Sequence, residues 1–271
     1  MTGALTIRPG PEGWRLDPAP ALPVEALMLG RSPEAAAELL PRIFNLCPVA
    51  QATAVRLALD LPLPAGSDLS AEVAREHRLK LGLLWPKLLG LPAHDLPGLP
   101  AAAALEDWVR RHPLFATLLR LFPAGGATAD LPAVSPDTAM TASACDNSPA
   151  ARRQDHPLLV AAGGLWGKGP LWRALGRLVD LSLPLPAPIR LEDATAVVPA
   201  ARGSYAVRAR TEGGLVRAFA RTTPTDHLLA PGGVLARSLA TLPADAGNLA
   251  PLVVAILDPC VPVRFAEVAH A

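Results

Sequence analysis

Three cysteines, Cys47, Cys145 and Cys260, are the side chains of this 271-residue chain best suited to hold a soft metal or to act as nucleophiles. They are too few and too scattered for a disulfide framework, and a reducing cytosol keeps such thiols free. Cys47 directly precedes Pro48 at what reads as a helix start. A thiol there faces unpaired backbone N–H groups and the positive end of the helix dipole, which favour the thiolate, the form that ligates metals. In its plain reading a free cysteine is simply a small buried apolar residue, and Cys145, in a polar stretch, is expected to be incidental. The six histidines, at positions 77, 94, 112, 156, 227 and 270, lack the spacing to cysteine that a zinc site requires. His77, within Ala74-Arg75-Glu76-His77-Arg78, reads as a surface helix residue. No glycine-rich phosphate loop follows a strand, no His-Glu-x-x-His occurs, and no serine sits in a nucleophile elbow. The commonest enzyme chemistries therefore find no support.

The elements that must position these thiols are mostly helical. Pro33 to Leu46 carries apolar residues at helical spacing behind Ser32 as N-cap and Pro33 at the first position, and Pro48 to Leu61 repeats the pattern. Asp68 to Leu89 reads as a longer helix kinked at Pro86, and Leu105 to Phe122 as one bent at Pro113. Pro123 to Asp155 is rich in Ala, Gly, Ser, Thr, Asp and Pro with little apolar periodicity, which predicts a flexible loop or linker. A helix over Pro170 to Leu181 follows. Ala194 to Val198, Ser204 to Ala209 and Leu215 to Arg221 then read as short strands, the last two joined by Glu212-Gly213-Gly214. Two helices, about Gly233 to Thr241 and Asn248 to Leu257, end the chain. The expected architecture is α+β, mainly helical with a small antiparallel sheet in the C-terminal half. A helical part (1–122), the linker (123–155) and an α+β part (156–271) would together form one composite domain.

Composition narrows the partners. A chain that is 51% hydrophobic can bury a real core. Twenty-five basic residues against 24 acidic ones leave a net charge of +1, so no long-range field gathers nucleic acid or an anionic membrane surface. The 31 prolines break apolar runs before they reach the length of a membrane span. Met1 to Arg8 lacks a basic region followed by an apolar stretch, so cytoplasmic residence is expected.

Three short segments carry a more specific signal. The first is Glu25-Ala26-Leu27-Met28-Leu29-Gly30-Arg31-Ser32-Pro33 followed by Arg42-Ile43-Phe44-Asn45-Leu46-Cys47-Pro48-Val49-Ala50-Gln51. The second is Pro199-Ala200-Ala201-Arg202-Gly203-Ser204-Tyr205, with Thr222-Thr223-Pro224-Thr225 beyond the hairpin. The third is Asp258-Pro259-Cys260-Val261-Pro262-Val263-Arg264-Phe265-Ala266. In this order they resemble the signatures of nickel-iron hydrogenase large subunits: Arg-Gly-x-Glu, Gly-Arg-Asp-Pro and Arg-Ile-Cys-Gly-x-Cys with a histidine four positions on; Ala-Pro-Arg-Gly before a hairpin; and Asp-Pro-Cys-x-x-Cys-x-x-His. Phe44 and Val263 stand where two of the four metal-binding cysteines belong, and Gln51 and Ala266 where the histidines belong. His270 does not align with the missing histidine, and with the chain stopping at Ala271 no cleavable extension is expected. A shortened relative that keeps two of the four cysteines is similar to the HupK/HoxV-type accessory proteins of hydrogenase operons.

That resemblance implies a hydrogenase-large-subunit-like fold in which Cys260 approaches Cys47 with Glu25, Arg202 and Asp258 around them. It also implies that the chain is no enzyme. Nickel in the large subunit needs four thiolates, so two cannot hold it stably. An iron fragment whose cyanide and carbon monoxide ligands fill three positions needs little more than two sulfurs, and fewer anchors ease release. The implied function is a transient scaffold or carrier for the iron-cyanide-carbonyl fragment, taken from Hyp-type maturation chaperones and passed to the hydrogenase large-subunit precursor. The alternative is a metal-free large-subunit mimic that occupies those chaperones or protects assembly from oxygen. The pair differs from the enzyme's iron-holding pair, since Cys47 matches a bridging cysteine and Cys260 a terminal nickel ligand.

Overall fold

A computed structural model describes residues 3–266 except 11, 12, 19, 21, 45 and 65; His270 lies outside them. The chain opens with strands β1 (Leu5–Gly10) and β2 (Gly13–Asp17) and helices α1 (Val24–Met28), α2 (Pro33–Ile43), α3 (Pro48–Ala58), α4 (Leu69–Leu79) and α5 (Trp85–Leu88). Helices α6 (Leu105–Arg111), α7 (Pro113–Leu121), α8 (Pro157–Trp166) and α9 (Pro170–Ser182) follow. Then come β3 (Ile189–Arg190), β4 (Thr195–Ala200), β5 (Gly203–Glu212), β6 (Leu215–Thr222), α10 (Pro224–Leu229), α11 (Val234–Ala240), α12 (Ala250–Leu257) and β7 (Val263–Phe265).

Local chemistry sets most boundaries. Ser32 accepts a hydrogen bond from the Ala35 N–H at 3.2 Å, and Asp68 from the Ala71 N–H at 2.8 Å, starting α2 and α4. Pro86 cannot donate to Gly82, and its ring crowds that carbonyl, so a π turn at Lys80–Leu84 precedes it; the freed Gly82 carbonyl accepts instead from the His94 N–H at 3.1 Å. His112, directly before Pro113, is pushed out of the helical region (φ −87°, ψ 122°) and separates α6 from α7.

Strands β3-β4-β5-β6 form an antiparallel sheet in chain order, with β4 and β5 joined by the two-residue turn Ala201-Arg202. A second sheet, ordered β2-β1-β7, places β7 parallel to β1 with Val263 opposite Leu5. Sequence reading does not find it, because these strands are short, one ends in Pro9-Gly10, and their pairing joins opposite ends of the chain. One core packs Leu40, Ala54 and Val55 of the N-terminal helices against Val198, Val207 and Phe219 of the larger sheet. The other surrounds α9 with residues of β1, α5–α8, α11 and α12.

The segment 123–155 is irregular, as its composition predicts, yet anchored rather than free. Ala127, Ala129, Leu131, Ala150 and Ala151 enter the α9 core, and Ala139 packs on Val197 and Ala206. The buried Asp146 carboxylate pairs with Arg173 of α9 at 3.0 Å. A Cβ on Gly176 would lie 2.2 Å from Ala150 Cβ, so the bare glycine lets the segment lie directly on α9. Composition predicts a linker because alanine and paired polar groups fill this interface, not periodic large apolar residues. Limited proteolysis of the intact protein is expected to spare residues 127–153; early cleavage there would contradict this packing.

Candidate metal-fragment site

Both cysteines of interest open onto one cleft of about 820 Å³. Cys47 sits before α3 in a left-handed conformation (φ 52°, ψ 49°). Cys260 follows the left-handed Asp258 (φ 56°, ψ 57°) that ends α12, and its N–H donates to Thr225 Oγ1 at 2.7 Å. Ile43, Phe44, Leu46, Leu229 and Val261 make much of the wall apolar. Arg202, at the tip of the β4–β5 hairpin, reaches over the cleft with Nη1 donating to Cys47 Sγ at 3.6 Å. Cys145 is buried elsewhere beside Ser143 Oγ and does not line the cleft.

Beneath Arg202 lies a buried charge network. Asp258 pairs with Lys80 at 2.8 Å, with Arg177 at 3.0 Å and with Arg202 Nε at 3.2 Å, while Glu76 lies 3.6 Å from Arg202 Nη2. Burial works against the Arg202 charge, but Asp258 foremost, with Glu76, outweighs it and raises its pKa. Burial likewise raises the Asp258 carboxyl, yet Arg177, Arg202 and Lys80 prevail and hold it below the usual carboxylate range. Arg177 also bonds to the Ala201 carbonyl at 3.0 Å and to His77 Nδ1 at 3.2 Å. Because a guanidinium only donates, His77 Nδ1 accepts and its Nε2–H donates to Asp180 at 2.9 Å. Asp180 in turn holds Arg152 at 2.6 Å and Arg153 at 2.8 Å.

Three expectations change here. Glu25 is exposed on α1, because Val24 and Met28 turn inward and carry it to the outer face. Its side chain has no hydrogen bond or ion pair among the described residues, and Glu76 is the glutamate that joins Asp258 beside Arg202. His77 is no surface residue; it is fully buried, since α4 packs on α9 and aims it at Asp180. The Cys47 thiol is not acidified. Burial pushes it up to about 11, against the lowering effects of Arg202 and the Ala201 N–H, and Cys260 is raised by burial too. The α3 N-terminus that should have stabilised its thiolate is already occupied: Glu72 accepts from the Val49 and Ala50 N–H groups at 2.8 and 3.1 Å.

Sequence reading missed Glu72, Glu76, Lys80, Arg177 and Asp180. One signal was available: Arg173, Arg177 and Asp180 recur at helical spacing within Leu171-Trp172-Arg173-Ala174-Leu175-Gly176-Arg177-Leu178-Val179-Asp180, a helix apolar on its other sides. Such a helix is buried, and its charges must then be paired.

Burial holds His77 neutral, its pKa lowered to about 4 despite Asp180, with Arg177 opposing protonation as well. In the unfolded chain the ring protonates near its ordinary value of 6.5. Between these values the unfolded state binds the extra proton, so stability is full above about 6.5 and falls as the pH drops toward 4. Urea unfolding across this range is expected to show a falling midpoint, flattened in His77→Gln; a level wild-type profile would contradict it.

The chain is 48% identical over 297 residues to the hydrogenase expression/formation protein HupK of Rhodobacter capsulatus, covering 100% of both. It belongs to the HupK family. The hydrogenase expression/formation protein HoxV of Cupriavidus necator is 39% identical over 94 residues, 32% of this chain and 24% of HoxV. No protein-family model matches. The chain shares the fold of the hydrogenase large subunit: the reduced Ni-Fe-Se hydrogenase of Desulfovibrio vulgaris Hildenborough superposes with a TM-score of 0.57 at 14% identity, covering 92% of this chain and 93% of that one. The enzyme of Desulfomicrobium baculatum gives 0.54 at 11%, covering 92% and 93%. At these identities the likeness concerns fold alone.

The residues present do not fit nickel. Phe44 and Val263 supply no ligand, and Val263 is locked into β7 against β1. Among the described residues no three His, Cys, Asp or Glu side chains converge as a metal site. No described helix is long and apolar enough to cross a membrane.

Proposed function

We propose that this HupK-family chain is an accessory factor in hydrogenase maturation that carries an iron-cyanide-carbonyl fragment on Cys47 and Cys260. Hyp-type chaperones would deliver the fragment, and the hydrogenase large-subunit precursor would receive it. One observation supports this above others: two thiols, far apart in sequence, open onto the same apolar-walled cleft under Arg202. An apolar wall limits water around the cargo, and a saturated iron complex needs few protein ligands. With the thiols protonated at rest, loading must release their protons, so the empty protein is a poor ligand for stray cations.

Infrared spectroscopy of protein purified from hydrogenase-producing cells tests the reading, because metal-bound cyanide and carbon monoxide absorb where proteins do not. Their bands are expected. Their absence from protein that still supports maturation would leave the metal-free mimic. The same preparation, freed of hydrogenase, is expected to contain no stoichiometric nickel and to neither take up nor evolve hydrogen. Tightly bound nickel with turnover would defeat this.

A further inference from the structure

Buried polar atoms almost always find partners, so several orphans around one cavity call for an explanation. Gln51 Oε1, Tyr205 Oη and Arg221 Nε are buried without a well-aligned hydrogen-bond partner among the described residues, and all three residues line the cleft. Two of these atoms carry a proton to donate. Tyr205 and Arg221 share one face of the larger sheet: Arg221 lies opposite Val207, two residues beyond Tyr205, which makes them diagonal neighbours. The Arg221 guanidinium stacks on Phe44 at 4.7 Å, so a cation already lies beside the residue that replaces a metal-binding cysteine. Tyr205 is 6% exposed, and burial pushes its hydroxyl up to about 12 against the lowering effect of Arg221, whose guanidinium comes within hydrogen-bonding reach of Tyr205 Oη. Because a guanidinium only donates, the Tyr205 O–H proton stays free for another acceptor throughout the neutral range.

We propose that Tyr205 and Arg221 recognise the outer ligands of the cargo, with Tyr205 Oη–H and Arg221 Nε–H donating to acceptor atoms of a cyanide-bearing anionic iron complex. The assignment rests on the carrier reading and names what makes the cleft selective. Charge supports it. Two thiolates cancel the charge of ferrous iron, so each cyanide leaves a further negative charge. Of the charged side chains that line the cleft, Asp226 is held in the capping box with Thr223 and Arg202 is already paired with Asp258, whereas Arg221 has no ion pair among the described residues and is the cation left to offset it. A bare divalent cation meets the opposite situation, with a stacked guanidinium and, among the described residues, no third His, Cys, Asp or Glu side chain converging with the two thiols.

The probe is hexacyanoferrate(II), whose six cyanides leave no position for a thiolate, so its binding reports the donors and not the cysteines. Titration calorimetry on the full chain is expected to show binding weakened about tenfold in Tyr205→Phe and at least about tenfold in Arg221→Gln. Arg221→Lys, which keeps the charge but loses the fork, should fall between Arg221→Gln and wild type. The Cys145→Ser protein, altered away from the cleft, should bind within about twofold of wild type. Tyr205 is the sole tyrosine, so 3-fluorotyrosine labelling gives one fluorine resonance, which should shift on binding and confirm that the fold persists in the arginine variants. No binding, or binding unchanged in Tyr205→Phe and Arg221→Gln, overturns the proposal. Donor-dependent binding in a protein whose cellular form lacks infrared bands would sink the carrier reading alone. Infrared bands beside donor-independent binding would sink this proposal alone.

Discussion

Cys47→Ser and Cys260→Ser are each expected to remove most of the iron fragment and to impair hydrogenase maturation, whereas Cys145→Ser leaves both unchanged. Both critical thiols face the cleft while Cys145 is buried away from it. Serine is nearly isosteric with cysteine, so either replacement keeps the size of the side chain at its position. What it removes is the soft anionic ligand, since a hydroxyl does not ionise in this range. If the two sulfurs hold one fragment, the double variant should be little worse than either single one, as for residues acting as a unit. A purely structural role predicts something different: soluble proteins, slightly lower melting points and intact maturation. Hydrogenase activity in complemented cells, with accessory-protein abundance checked by immunoblot, separates the two. Full maturation with both cysteines replaced would remove the carrier reading.

Much of the helical order was legible because local rules set it. Ser32-Pro33, Cys47-Pro48 and Gly169-Pro170 mark helix starts, and Glu212-Gly213-Gly214 marks the hairpin turn. The motifs located Cys47, Arg202, Asp258 and Cys260 because those residues carry the family's frame. What sequence could not supply was tertiary pairing. Whether Glu25 or Glu76 meets Arg202 depends on which faces of α1 and α4 turn inward, and α1 is too short for periodicity to decide. The Cys47 environment misled for a related reason. Its helix start predicts a stabilised thiolate, but Glu72, from the following helix, claims the same N–H groups. His77 reads as exposed within Arg75-Glu76-His77-Arg78, and only the packing of α4 on α9 shows that Glu76 and His77 face inward while their neighbours do not.

Asp258→Asn is expected to cost about 3–5 kcal/mol of stability, as loss of one member of a buried ionic network does. The carboxylate is the shared partner of Lys80, Arg177 and Arg202, and its removal leaves Glu76, a 3.6 Å contact, as the nearest anion to Arg202. Asparagine is the informative replacement because Asp258 has φ 56°, a left-handed conformation that asparagine also adopts readily. Asp258→Ala should cost roughly 1 kcal/mol more, since alanine is strained by that backbone as well. The size of the first loss reflects stranded cations more than a lost attraction. Adding Arg177→Met to Asp258→Asn should therefore destabilise by clearly less than the sum of the two single changes. Urea unfolding of wild type, the two single variants and the double variant at neutral pH measures this directly. A loss below about 1 kcal/mol for Asp258→Asn, or strict additivity with Arg177→Met, would mean that water reaches these charges and that Arg202 is held over the cleft by the hairpin alone.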